Sequence, residues 1–105
     1  MTGLDQLFAI IAARKGGDAS QSYTAKLLAA GVDKCAKKFG EEATEVVIAA
    51  IQQDKSELAK ESADALYHLA VLWAASGITP EDVYAVLKAR ESVSGLDEKA
   101  GRHKT

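Results

Sequence analysis

Two acidic clusters, Glu41-Glu42-Ala43-Thr44-Glu45 and Glu61-Ser62-Ala63-Asp64, constrain this chain more than any other feature, because both fall inside stretches of helical periodicity. At about 100° per residue, Glu41, Glu42 and Glu45 occupy an arc of about 100° on one helix, and Glu57, Glu61 and Asp64 an arc of about 60° on the next. Like charges three and four residues apart repel by roughly 0.2 to 0.5 kcal/mol per pair. A fold must either gather these stripes around a cation or turn them to water as solvated faces. The geometry suits the first, a magnesium site between two helices.

The rest of the chain reads as helices around that pair. Leu4, Leu7, Phe8 and Ile11 follow helical spacing that stops at Gly16-Gly17, so the pattern predicts a helix over 2–15 and a loop over 18–21. Ser22 is an N-cap for a short helix carrying Leu27 and Leu28 and ending at Gly31. A long helix over 33–53 is expected to turn Phe39, Ala43, Val46, Val47 and Ala50 inward. Asp54 with Glu57 resembles a capping box for a helix running to Gly77, and Thr79-Pro80-Glu81-Asp82 opens a last one. No run of β-branched residues alternates as a strand would. The expected fold is all-α, a bundle of four to five helices forming one domain over 1–92, with a polar tail over 93–105.

Charge and cysteine content exclude several functions. A net charge of -2 gives no basic field for nucleic acid, although a free nucleotide bringing its own metal remains compatible. A single cysteine, Cys35, rules out a disulfide framework and a thiolate zinc cluster, and it reads as a small core residue. No secretory segment or long apolar run is present, so a soluble cytoplasmic protein without membrane contact is expected. The stretch from Leu66 to Ala75 is apolar nearly all round. A homodimer burying Leu69, Val71, Leu72 or Trp73 would account for it, and so would a central helix wrapped by the others.

Three features favour a metal site over solvated acids. Lys34 and Lys38 share the arc of the first stripe but precede its acids, the poorer orientation for helix ion pairs, and read better as phosphate ligands. The second stripe adjoins Leu58, Ala65 and Leu72, so its carboxylates border the core. Gly40 costs its helix about 1 kcal/mol relative to alanine, which a close approach of substrate or backbone would explain. Carboxylates without cysteine prefer magnesium, with manganese possible, and a Glu-x-x-His pair suited to di-iron is absent. His68 reads as a hydrogen-bonding or substrate-contact residue, with a plain buried histidine as the alternative.

Ser22-Tyr23-Thr24 with Leu27-Leu28 and Gly31, then Lys37-Lys38-Phe39-Gly40-Glu41-Glu42-Ala43-Thr44-Glu45, then Glu61 through His68 resemble the phosphoribosyl-ATP pyrophosphohydrolases of histidine biosynthesis. The paired acidic motifs alone would match MazG-type all-α nucleotide pyrophosphohydrolases in general. Ser22-Tyr23-Thr24 and Tyr67-His68 narrow the likeness, and Ser94 to Ala100 resembles the ending of some members. The resemblance implies hydrolysis of 1-(5-phosphoribosyl)-ATP to 1-(5-phosphoribosyl)-AMP and pyrophosphate, the second step of L-histidine biosynthesis. Glu41, Glu42, Glu45, Glu61 and Asp64 would hold magnesium, with Glu42 or Glu45 as the base that activates water. Lys34, Lys37 and Lys38 would contact phosphates, and Ser22, Tyr23 and Thr24 would bind substrate by resemblance only. Cysteine and histidine ligands for the partner cyclohydrolase are lacking. Two rivals remain: a house-cleaning nucleoside triphosphate pyrophosphohydrolase and a non-enzymatic helical dimerisation module.

Overall fold

Five helices in a computed structural model account for the periodicities read from the sequence: α1 (Gly3–Ala13), α2 (Tyr23–Ala30), α3 (Val32–Ile51), α4 (Lys55–Ser76) and α5 (Pro80–Glu91). The structure describes residues 3–91, and no strand occurs among them. The expected polar tail and the family-like ending at Ser94 to Ala100 lie outside the described residues.

Local chemistry sets the boundaries. Ser22 Oγ accepts from the Ala25 amide at 3.1 Å and starts α2. Asp54 Oδ1 accepts from the Glu57 amide at 3.0 Å and starts α4, which ends at Gly77 in the left-handed conformation. Before α5, Thr79 and Asp82 exchange hydrogen bonds, the Thr79 amide donating to Asp82 Oδ2 at 2.8 Å. Between α3 and α4 the chain reverses through Gln52 and Gln53, and Gln53 takes a φ of +59° that a glycine would adopt more easily.

That tight reversal makes α3 and α4 an antiparallel hairpin, the largest helix contact of the fold, with α1 and α2 packed on α4. The core gathers Ile11 of α1, Cys35 of α3, and Ala70, Val71 and Ala74 of α4, with Leu7, Phe8, Leu27, Leu28 and Leu72 packed around them. Cys35 is the core residue its solitude suggested, its thiol donating to the Leu27 carbonyl at 3.2 Å. The α5 helix leans on α1, where the Tyr84 hydroxyl donates to Asp5 Oδ1 at 3.2 Å.

Two expectations need correction. Val71 and Trp73 are buried within the chain, so α4 is the central helix, and these two residues offer no face to a second copy. On α3, the inward stripe runs through Cys35, Phe39, Ala43, Val46 and Ala49, while Val47 and Ala50 are exposed. The reason is that α3 lies at the edge of the bundle, covered chiefly by α4, so its buried stripe is narrower than its apolar content suggests. At Gly40 a methyl group would meet nothing within 4 Å, so of the two approaches expected there, the described residues supply no pressing backbone.

Candidate active site

The hairpin register brings the two acidic motifs together. Glu42 and Asp64 stand eleven residues before and after Gln53, and Glu45 and Glu61 stand eight residues before and after it. In an antiparallel pair with equal rise on both arms, residues equidistant from the turn lie at one level. Glu42, Glu61 and Asp64 accordingly each place a carboxylate oxygen within 4.8 Å of the others. Glu42 and Glu61 are half-buried and Asp64 is exposed, so the cluster opens to solvent on one side.

The electrostatics agree with a site that wants a cation. Desolvation pushes the Glu61 carboxyl above the ordinary range, reinforced by a hydrogen bond with Glu57 and by the charges of Asp64, Glu57 and Glu45. Glu45 thus lies close enough to act on Glu61 while remaining outside the tightest trio. Glu41 also stands apart from the trio and lines a neighbouring pocket. Oxygen donors alone, with converging negative charge, fit a hard divalent ion such as magnesium or manganese.

Lys38 makes an ion pair that its place before the acids does not favour. Its ammonium pairs with Glu42 at 3.4 Å, so the less favourable orientation along the helix still forms an ion pair. That hydrogen bond, followed by the electrostatic influence of Tyr23, raises the lysine's proton affinity. Lys38 also faces a pocket of about 300 Å³ between α2 and α3, lined by Tyr23, Lys26, Leu27, Ala30, Lys34 and Lys37. Lys26 did not stand out in the sequence. Its one signal was the spacing of the short helix, which sets it one turn after Ser22 and on the side that meets α3.

The Ser22-Tyr23-Thr24 segment divides its work. Ser22 caps α2, Thr24 shares a hydrogen bond with the Tyr67 hydroxyl, and Tyr23 lines the pocket with its ring half-exposed. His68 is only 6% exposed and sits edge-on to both tyrosine rings, 6.2 Å from Tyr23 and 4.9 Å from Tyr67 between centroids. Burial lowers its proton affinity, with Glu42 the largest opposing influence. It therefore lies behind the aromatic wall of the site, joined to Tyr23 across the interface of α2 and α4.

Comparison with known proteins settles the lineage. The family model described as phosphoribosyl-ATP pyrophosphohydrolase matches residues 4–91. The chain belongs to the phosphoribosyl-ATP pyrophosphohydrolase family. A curated relative named phosphoribosyl-ATP pyrophosphatase, from Parvibaculum lavamentivorans, is 63% identical over 99 residues, covering 94% of this chain and 91% of that protein. Another of that name from Cereibacter sphaeroides is 57% identical over 102 residues, covering 97% and 99%. A third, from Paramagnetospirillum magneticum, is 55% identical over 101 residues, covering 96% and 93%. For this pyrophosphohydrolase family member, the matched span contains both acidic motifs, the lysine pocket and the aromatic wall. No helix among the described residues is long and apolar enough to cross a membrane.

Proposed function

We propose that this protein hydrolyses 1-(5-phosphoribosyl)-ATP to 1-(5-phosphoribosyl)-AMP and pyrophosphate, the second step of L-histidine biosynthesis, in the cytoplasm and with magnesium. The observation that carries this reading is the convergence of Glu42, Glu61 and Asp64 beside a pocket rich in lysine, in a chain of this family. Those three acids would hold the metal, with Glu41 and Glu45 at its margin. A magnesium ion held there would supply positive charge to offset the charge that develops on the pyrophosphate leaving group.

Every other part belongs to the chain itself. Glu42 is engaged with the trio and with Lys38, which leaves Glu45 to accept the proton of the attacking water. Lys37 and Lys38 hold phosphate oxygens as point charges. Tyr23 supports the bound nucleotide from the rim, and His68 fixes the ring of Tyr23 from behind. Ser22 and Thr24 serve by holding α2 in place.

The working unit is proposed to be a homodimer. Val47, Ile48 and Ile51 on α3 and Leu66 on α4 are left uncovered, and Ile51 is 75% exposed. A second copy of the chain is the simplest cover for such a surface.

Incubating the purified protein with phosphoribosyl-ATP and magnesium should release pyrophosphate. Release from noncanonical nucleoside triphosphates with none from phosphoribosyl-ATP would favour the house-cleaning reading. Release from neither, with no response to metal, would leave a helical interaction module.

A further inference from the structure

Four lysines, Lys26, Lys34, Lys37 and Lys38, converge on the pocket between α2 and α3, in a chain whose net charge is -2. Among the described residues, Lys38 has its carboxylate partner in Glu42, whereas Lys26, Lys34 and Lys37 have none within 4.0 Å. Unpaired like charges gathered around one hollow repel each other until an anion enters. The pocket is not uniformly polar. Leu27 and Ala30 line it between the ammonium groups, and the Tyr23 ring closes one side.

Position along α3 separates Lys34 from Lys38. Lys38 stands one turn from Glu42 and reaches the acidic trio, as its ion pair attests. Lys34 stands two turns away, roughly 12 Å along the helix axis, and Lys26 lines the same pocket from α2. Phosphoribosyl-ATP also carries its charge in two places. The triphosphate contains the anhydride that is cleaved, and a phosphate monoester ends the second ribose. Only the triphosphate needs the acidic trio and its metal.

We propose that Lys26 and Lys34 form the subsite for the phosphate monoester of the second ribose, and so make this protein prefer phosphoribosyl-ATP over ATP. The proposal rests on the activity assigned above and names the part of the substrate that these side chains read. Leu27 and Ala30 offer an apolar surface to the sugar carbons while the two ammonium groups take the phosphate. Lys37 and Lys38 remain for the triphosphate. A plain nucleoside triphosphate would leave Lys26 and Lys34 without their anion, which is the physical source of the preference.

Calorimetric titration tests this without turnover, using phosphoribosyl-AMP and AMP as probes, since both lack the diphosphate and only one carries the second ribose phosphate. The intact protein should bind phosphoribosyl-AMP at least about tenfold more tightly than AMP, as expected for charge-assisted contacts to a phosphate. In a K26Q/K34Q variant the two affinities should come within about twofold, while pyrophosphate with magnesium binds as before. Both side chains are exposed, and a thermal melt checks that the variant is folded. Equal affinities for the two probes in the intact protein would overturn the proposal. So would a loss of pyrophosphate affinity as large as the loss for phosphoribosyl-AMP, because that would assign the lysines to the triphosphate. Failure of the intact protein to release pyrophosphate from phosphoribosyl-ATP would instead count against the assigned activity, and the binding comparison would still judge the subsite.

Discussion

Thr24 and Tyr67, forty-three residues apart, join their hydroxyls between α2 and α4 beside the ring of His68. This bond ties the loop-proximal end of the short helix to the central one, and with it the ring of Tyr23. Tyr67→Phe should remove about 1 kcal/mol of stability, the usual worth of a hydrogen bond between neutral groups. Because Tyr23 would lose its support, KM for the nucleotide should rise more than kcat falls. A chemical denaturation curve and steady-state kinetics measure the two effects.

Removing charge from the trio should be far more damaging than removing it from Glu41 on the pocket side. Glu42→Gln, Glu61→Gln and Asp64→Asn should each lower turnover by roughly a hundredfold or more while leaving the helical signal intact. Glu41→Gln, which acts on the pocket side, should cost less. Circular dichroism and pyrophosphate release on the same preparations check both statements, and near-normal rates in all three trio variants would remove the metal assignment.

Divalent metal should stabilise the fold beyond the effect of salt. At a hundred times its dissociation constant, magnesium should add about 2.7 kcal/mol by mass action, whereas sodium of matched ionic strength only screens the repulsion. Glu42→Gln combined with Glu61→Gln should stabilise the metal-free protein and erase most of that response. Equal melting shifts in the two salts would mark the acids as a solvated face.

Light scattering should give twice the chain mass at micromolar concentration. Ile48→Lys with Ile51→Lys should yield a folded monomer, because both side chains are already exposed in the single chain and their loss opens no cavity. A monomeric parent protein would show that the uncovered face of α3 tolerates water.

Cys35 should be inert in the native state. Burial pushes its thiol above the ordinary value, so on raising the pH the unfolded chain ionises first and binds fewer protons than the folded one. Stability should therefore fall as pH rises through about 9, and Cys35→Ala should remove that part of the alkaline loss. At lower pH, labelling by a thiol reagent should proceed no faster than unfolding.

Much of the architecture was written locally. Ser22, Asp54, Gly77 and the Thr79-Pro80 pair mark helix ends with chemistry that acts over three or four residues, and each appears in the structure near the place its type indicates. The two acidic stripes were equally plain, since helical periodicity alone sets side chains four residues apart on one face. The family likeness rested on the same segments.

What the sequence left open depended on which helix lies inside. The apolar run from Leu66 to Ala75 suits a dimer face and also admits a central helix, and only the packing of α1, α2 and α3 around α4 buries Val71 and Trp73 within one chain. The same packing exposes Val47 and Ala50, because periodicity gives the direction of an apolar stripe but not the width that a neighbour covers. Lys26 joins the other lysines only because α2 meets α3 across the pocket. Local sequence determined the helices and their charged faces through short-range geometry. Tertiary structure decided the trio, the lysine pocket and the buried helix, because each requires side chains from different helices to reach one place.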